Sequence, residues 1–363
     1  MRAGLESAAL VTGLSDDERE VLAELADAGW VGGAGDAAIV RWSRASIEAW
    51  LGRLQPTSEL AQALLRLSRA GQGLPASTLG GTRFAWGERT FVMGVLNVTP
   101  DSFSDGGKFA DPAAAIAHGK AMLEAGADLI DLGGESTRPG AKEVDEQVER
   151  DRVLPVIKGL LSEVKGALIS IDTRKAGVAE AAIAAGAVMV NDVGGLRDDK
   201  MIDVLAKTGA SACVMHMQGT PDTMQQKPAY EDVGADILTG LELALRRAES
   251  RGVPRSRLWV DPGIGFGKTV GHNLFLLQRL GDFRLLGCPV LAGVSRKKFI
   301  GALTGRDVPK DRLVASVATA AMIAAQGGVD VLRVHDVAET REALKVADAM
   351  RLARDGGSRF GLP

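Results

Sequence analysis

The sequence predicts a (β/α)8 barrel with a small helical extension at its N-terminus, and three observations carry that prediction. A helix–glycine–strand junction recurs from residue 91 onward, at Gly126-Ala127, Gly186-Ala187, Gly209-Ala210 and Gly327-Gly328. The glycine suits the left-handed cap that ends a helix. The runs that follow, such as Leu129-Ile130 and Val188-Met189-Val190, are apolar without alternation, as strands of a parallel sheet buried on both faces are. Each run then ends in a polar side chain. Eight such units in about 260 residues match the size of a barrel. A doubly wound open sheet would want a switch point and a glycine-rich phosphate fingerprint, and the sequence has neither.

Residues 1–82 form a region of different composition, holding Trp30, Trp42 and Trp50. Ser15-Asp16-Asp17-Glu18 is a capping-box pattern ahead of Val21, Leu22 and Leu25, which predicts a helix over 16–28. Further helices are expected over 44–53 and 57–70, and the Gly/Pro/Ser-rich run 71–81 reads as a linker. No cluster of His, Cys or acidic residues gives this region chemistry, so it reads as an accessory contact module. The barrel domain is expected over 83–355. Phe84–Phe91 reads as a hairpin turning near Gly87, placed to plug the barrel's bottom.

Strands are expected at 91–97, at the apolar runs ending in Asp131, Asp172, Asn191-Asp192, His216 and Asp261, at 289–294, and at the run ending in His335. Helical periodicity fills the intervals at about 112–125, 143–164, 174–185, 199–207, 230–251, 272–281, 311–326 and 337–354.

Charged residues make up 25% of the chain and the net charge is −3, which offers no basic stripe for nucleic acid. No apolar run has membrane length, and the N-terminus lacks the apolar core of a secretion signal. Cys213 and Cys288 sit in apolar segments without metal-type spacing, as reduced packing residues of a cytoplasmic protein would.

If the barrel closes, the C-terminal residue of every strand reaches one mouth. Those residues are Asn97, Asp131, Asp172, Asn191 with Asp192, His216, Asp261, Ser295 with Arg296 and Lys297, and Arg333 with His335. A scaffold built only for packing has no reason to desolvate so many polar groups together. The segments Ser136-Thr137-Arg138-Pro139-Gly140, Ser295–Lys298 and Arg333-Val334-His335 are rich in donors and suit an anion. Asp172, Asn191 and Asp261 are acceptors suited to a flat heterocycle with adjacent N–H groups. Asn97 is a neutral oxygen ligand of the kind Mg²⁺ takes alongside waters and substrate phosphates. The residues therefore describe a Mg²⁺-assisted site for a pyrophosphorylated heterocycle. Gly263–Thr269 ends in Gly-Lys-Thr, but its glycines are not spaced as in a P-loop. His216 is expected to be a core histidine bonded to a backbone carbonyl, with His118 and His272 on helices as packing or surface residues.

Asn97–Gly107, Asp131–Ala141, Asp261–Lys268, Ser295-Arg296-Lys297 and Arg333–Val337 together resemble, in order, the signatures of the bacterial dihydropteroate synthases. The resemblance runs over about residues 84–350 and leaves the first 80 residues outside it. It implies condensation of 6-hydroxymethyl-7,8-dihydropterin pyrophosphate with p-aminobenzoate, giving 7,8-dihydropteroate and pyrophosphate. By motif position, Asp172, Asn191, Asp261 and Lys297 would hold the pterin, and Asn97 would help place Mg²⁺. Arg138, Arg333 and His335 would bind the pyrophosphate or its partner anions, while Thr137, Pro139, Phe266 and Ser295 would line the p-aminobenzoate side. Asp131 and Met215 belong with the substrate-binding group, and Asp172, Asp261, Lys297, Arg333 and His335 with the catalytic one. A homodimer, pairing through the apolar stretch Val314–Ala325, and a sulfonamide-binding site are also expected. A pterin-dependent methyltransferase shares the barrel but should lack the Ser-Arg-Lys and Arg-Val-His segments, and a non-catalytic paralogue should have lost strand-end residues.

Overall fold

Twelve strands and nine α-helices lie within the residues that the computed structural model describes, namely 7–12, 37–42, 74–99, 111–136, 143–220, 223–225 and 228–354. Strands β1 (Ser7–Thr12) and β2 (Ala37–Trp42) pair antiparallel, with Ser7 opposite Trp42 and Thr12 opposite Ala37. The N-terminal region therefore contains β-structure that helical periodicity did not predict. The helices expected over 16–28, 44–53 and 57–70 lie outside the described residues.

A second hairpin joins β3 (Ser77–Leu79) to β4 (Thr82–Phe84). Its turn is Gly80-Gly81, both at positive φ, rather than Gly87. The hairpin thus begins inside the stretch expected to be linker, because two adjacent glycines satisfy a two-residue turn better than one isolated glycine does. It still closes the barrel's bottom. Leu79 and Phe84 are buried in one cluster with Phe91, Met93, Leu129, Met189, Trp259, Leu291 and Val331.

The barrel strands are β5 (Phe91–Asn97), β6 (Leu129–Gly133), β7 (Ile169–Asp172), β8 (Met189–Asp192), β9 (Ser211–Met215), β10 (Leu258–Asp261), β11 (Leu291–Ala292) and β12 (Val331–Val334). All neighbours pair parallel, in the order β10-β9-β8-β7-β6-β5-β12-β11. A parallel bridge between Val260 and Val290 closes the ring, where the Val260 amide donates to Pro289 O at 2.9 Å. The helices α1 (Pro112–Glu124), α2 (Glu146–Glu163), α3 (Ala176–Ala184), α4 (Asp199–Thr208), α5 (Val233–Ser250), α6 (Val270–Gln278), α7 (Lys298–Thr304), α8 (Leu313–Gln326) and α9 (Val337–Arg354) surround it. Eight of the nine follow the periodicity to within a few residues. The short α7 lay hidden beside the cationic Ser295–Lys298 run. Gly209, at φ 77°, caps α4 in the left-handed conformation expected of the repeated junction.

Strand geometry explains the site. Side chains alternate between faces, and one set, including Val92, Leu96, Ile130, Leu132, Ile169, Ile171, Val190, Ala212, Val214 and Val260, packs against the helices. The other set points into the barrel. Its lower members are apolar: Met93, Leu129, Met189, Cys213, Trp259, Leu291 and Val331. Two residues further along the same faces stand Asp131, Asn191, Met215, Asp261 and Arg333, and Asn97 and Asp172 lie in register with Asn191 through Gly133. Both cysteines are free and buried, as expected, and burial pushes the Cys288 thiol up to about 12. Among the described residues no helix is long and apolar enough to cross a membrane.

Candidate active site

The inward register brings the acids and the arginine together at the mouth. Arg333, rising from β12, donates through Nε to Asp131 Oδ2 at 2.6 Å and through Nη2 to Asp172 Oδ2 at 2.6 Å. Asn191 Nδ2 donates to the same Asp131 oxygen at 2.8 Å. One guanidinium therefore bridges β12, β6 and β7 through charge-assisted bonds. The remaining oxygens, Asp131 Oδ1 and Asp172 Oδ1, are buried and accept no hydrogen bond from the described residues. Buried acceptors of this kind ask for a donor, and a ligand with N–H groups supplies one.

Burial pushes the Asp172 carboxyl up to about 7 even though Arg333 favours its ionised form, and Asp131 and Glu149 add to the rise. Asp261 lies 6% exposed on the neighbouring side of the ring. Its Oδ1 accepts from Gly263 N at 2.7 Å, and burial raises its pKa against the pull of that bond and of Lys297. Gly263 has no substitute here, because a Cβ would stand 2.0 Å from His216 O at a φ of +71°.

Lys297 places its ammonium 4.0 Å from the centre of the Phe266 ring, a cation–π contact. Burial lowers its pKa to about 8, with Asp261 and Asp172 opposing the fall. Ser295, nearly buried, meets His335: its Oγ lies 3.0 Å from His335 Nδ1 and accepts from His335 N at 3.2 Å. Asn97 stands at the end of β5. Its Oδ1 and Asp172 Oδ2 flank Gly133, each 3.6 Å from where a Cβ there would lie.

The structure thus gathers Asn97, Asp131, Asp172, Asn191, Met215, Asp261, Phe266, Ser295, Lys297, Arg333 and His335 at one end of the barrel. Thr137, Arg138 and Pro139 lie outside the described residues. Two expectations are revised, for Asp192 and Arg296, and a third gains a partner. Asp192 falls on the opposite face of its strand from Asn191, and its two oxygens accept from Gly194 N at 2.7 Å and Leu196 N at 2.8 Å. It shapes the loop after β8. His216 keeps the expected bond to a backbone carbonyl and also meets an ammonium: Lys268 Nζ lies 3.5 Å from its Nδ1. Burial, with Lys268 and Arg197 nearby, lowers its pKa to about 3. Arg296 turns its side chain onto Asp336 through Nε, at 3.0 Å, and Nη2.

Lys268 is a residue to which the sequence pattern assigned no role once the P-loop was rejected. It is 4% exposed, and its Nζ donates to Phe266 O at 2.9 Å. Burial lowers its pKa to about 7, against the pull of Asp261. Thr269 caps α6 by accepting from His272 N at 3.1 Å. The Gly-Lys-Thr segment is therefore a loop brace and a helix cap, as its spacing implied. A lysine in an otherwise apolar, glycine-rich stretch was the available signal. A second unanticipated network anchors the loop after β6, where buried Glu149 accepts from Lys175 Nζ at 2.6 Å and Lys175 also reaches Glu135.

Comparison with known proteins agrees with this geometry. The family model described as "Pterin binding enzyme" matches residues 93–335. The chain is 44% identical over 264 residues to the dihydropteroate synthase of Escherichia coli (strain K12), covering 73% of this chain and 93% of that protein. Among solved structures, a Yersinia pestis dihydropteroate synthase with a sulfonamide drug complex superposes with a TM-score of 0.72 at 44% identity, covering 76% of this chain and 99% of the other. The Xanthomonas albilineans dihydropteroate synthase in complex with 7,8-dihydropteroate gives 0.68 at 43% identity, covering 76% and 99%. With an unbroken strand-end set, a matching barrel and relatives matched over nearly their whole length, the chain belongs to the pterin-binding enzymes as a member of the dihydropteroate synthase family.

Proposed function

We propose that the mouth of the barrel joins 6-hydroxymethyl-7,8-dihydropterin pyrophosphate to p-aminobenzoate, with Asp172, Asn191, Asp261 and Lys297 on the pterin and Arg333 and His335 on its pyrophosphate. The observation that carries the residue roles is the pair of unsatisfied buried oxygens beside a single bridging arginine. The oxygens match the N–H edge of a pterin, and the cations match a departing anion. In the reaction the C–O bond between the pterin methylene and pyrophosphate breaks, and a C–N bond to the arylamine forms. The amine's proton leaves to solvent. The dihydropterin ring carries positive charge as the leaving group departs. Asp172 and Asp261 lie beneath that charge, and a preorganised charge of this kind costs no reorganisation during reaction. Phe266 and Ser295 offer an apolar face and a hydroxyl for the arylamine, as Thr137 and Pro139 do by motif position. The Yersinia pestis relative, solved with a sulfonamide drug complex, supports reading this subsite as a sulfonamide target too.

Among the described residues no group of three or more acidic, His or Cys side chains could cage a metal. Asn97 fits Mg²⁺ in the manner its neutral oxygen implies, with substrate phosphates and water completing the shell. Such an ion would neutralise charge on the departing pyrophosphate. Incubating both substrates with the protein should release pyrophosphate, and a chelator should slow release at least about tenfold, with added Mg²⁺ restoring it. Binding of a pterin lacking the pyrophosphate should be unmoved by the chelator. Chelator-insensitive turnover would remove the metal from the reading, and absence of dihydropteroate would remove the reading itself.

We also propose a homodimer formed through α7 and α8. Leu303, Val314 and Met322 are 57, 80 and 62% exposed there, and Leu303 and Met322 line a groove with Leu274, Leu277 and Phe299. Apolar groups so grouped favour a self-complementary contact. In analytical ultracentrifugation the protein should sediment at twice the mass of one chain, and Met322→Glu should return it to one. A wild-type protein sedimenting as a single chain would dismiss the dimer. A cytoplasmic setting is the natural one for this chemistry, and the two buried free thiols accord with it.

A further inference from the structure

Arg296 is one of two residues other than glycine that the described structure holds at positive φ, at 59°, the other being Leu196. A Cβ disfavours that conformation, so surrounding contacts must impose it. Four contacts with three residues, Ser316, Arg312 and Asp336, do. The Arg296 amide donates to Ser316 Oγ at 2.9 Å, and its carbonyl accepts from Arg312 Nη1 at 2.9 Å. Its Nε and Nη2 grip the two oxygens of Asp336, the residue after His335. The cradle is itself fixed. Ser316 and Arg312 are buried, and Arg312 also donates to Arg306 O at 2.8 Å and Asp307 O at 2.5 Å. The guanidinium and carboxylate are 26 and 13% exposed, so water weakens the fork little. His118, from α1, lies near the same guanidinium, and burial together with Arg296 lowers its pKa.

The left-handed turn lets the chain leave the barrel wall at Val294 and begin α7 at Lys298 within a few residues. Ser295 and Lys297 remain at the mouth on either side of it, one against His335 and the other over Phe266.

We propose that Arg296 is a positioning residue: its fork with Asp336 locks the loop after β11 to the loop after β12, so that Ser295, Lys297 and His335 keep one fixed arrangement. Two of its nitrogens are committed to that role rather than to the substrate anion. The inference rests on the site roles proposed above for those three residues.

The test uses Arg296→Lys, Asp336→Asn and the double variant of the full chain. Each single change should lower kcat, with both substrates saturating, about tenfold, since small misplacements at a reacting site carry such costs. The double variant should be no slower than the slower single, because one shared contact is removed. In the substrate-free protein, amide exchange at Arg296 and Lys297 should quicken in Asp336→Asn. Native kcat in Asp336→Asn with a tenfold loss in Arg296→Lys would overturn the proposal, because Arg296 would then touch substrate itself. Multiplying losses, or unchanged exchange at both amides, would overturn it too. If the wild-type protein made no dihydropteroate, the functional reading would fall, and the exchange measurement would still judge the lock. Should one single variant fail to fold, the other decides by the same two readouts.

Discussion

Replacing Arg333 by alanine should lower kcat by about a thousandfold and destabilise the protein by about 3 kcal/mol, from one cause acting twice. In the resting protein the guanidinium is the partner of Asp131 Oδ2 and Asp172 Oδ2. Without it, two carboxylates remain buried on adjacent strands with no described cation in contact. In the proposed reaction the same side chain would face the departing pyrophosphate, and no other described residue bridges the two acids in its place. Arg333→Lys should recover part of the stability and little of the rate, since an ammonium lacks the planar fork that spans β6 and β7. Steady-state kinetics beside denaturant unfolding measures both effects. A kcat within tenfold of the wild type for Arg333→Ala would remove the arginine from the mechanism.

Asp172→Asn should separate activity from stability in the opposite way. The amide preserves shape and can still accept from Arg333, but it cannot present a full negative charge beneath the pterin. Turnover should fall by about two to three orders of magnitude. Stability should not fall with it. Burial holds the Asp172 carboxyl at about 7 in the folded protein against an ordinary value of 3.8. A folded-state pKa raised in this way means that the native state binds the proton more tightly than the unfolded chain does. The contribution to stability is therefore full below the ordinary value and is lost as pH rises through about 7. Asparagine has no such slope. The variant should match or exceed the wild type in melting temperature at pH 8, with a smaller difference at pH 5. A variant that melts lower at pH 8 than at pH 5, relative to the wild type, would contradict this account of the site. Native turnover would contradict the proposed role of the charge.

Much of the architecture was legible because it rests on local rules. The helix–glycine–strand junction repeats for a reason of backbone geometry, and uninterrupted apolar runs have few ways to be buried except in a parallel sheet. Alternation along those strands then sends Asp131, Asp172, Asn191, Asp261 and Arg333 inward near the strands' C-terminal ends, beyond the apolar Leu129, Met189, Cys213, Trp259 and Val331 of the inner faces. The motif likeness supplied the chemistry proposed for those positions. The hairpin was misplaced because Gly80-Gly81 and Gly87 both look like turns, and packing of Leu79 and Phe84 under the barrel chose between them.

Spacing and hydrophobicity are properties of neighbours along the chain, so residue order alone was enough to specify the ring of eight strands, its polar mouth and the family to which it answers. Pairings between distant residues were settled in three dimensions. Nothing in the spacing says that Arg296 takes Asp336 while Arg333 takes Asp131 and Asp172, or that Lys268 braces Phe266 and faces His216. Each cation had several acids or carbonyls within reach of a flexible side chain. Which pair formed depended on where the closed barrel placed them and on the cost of leaving either member buried alone.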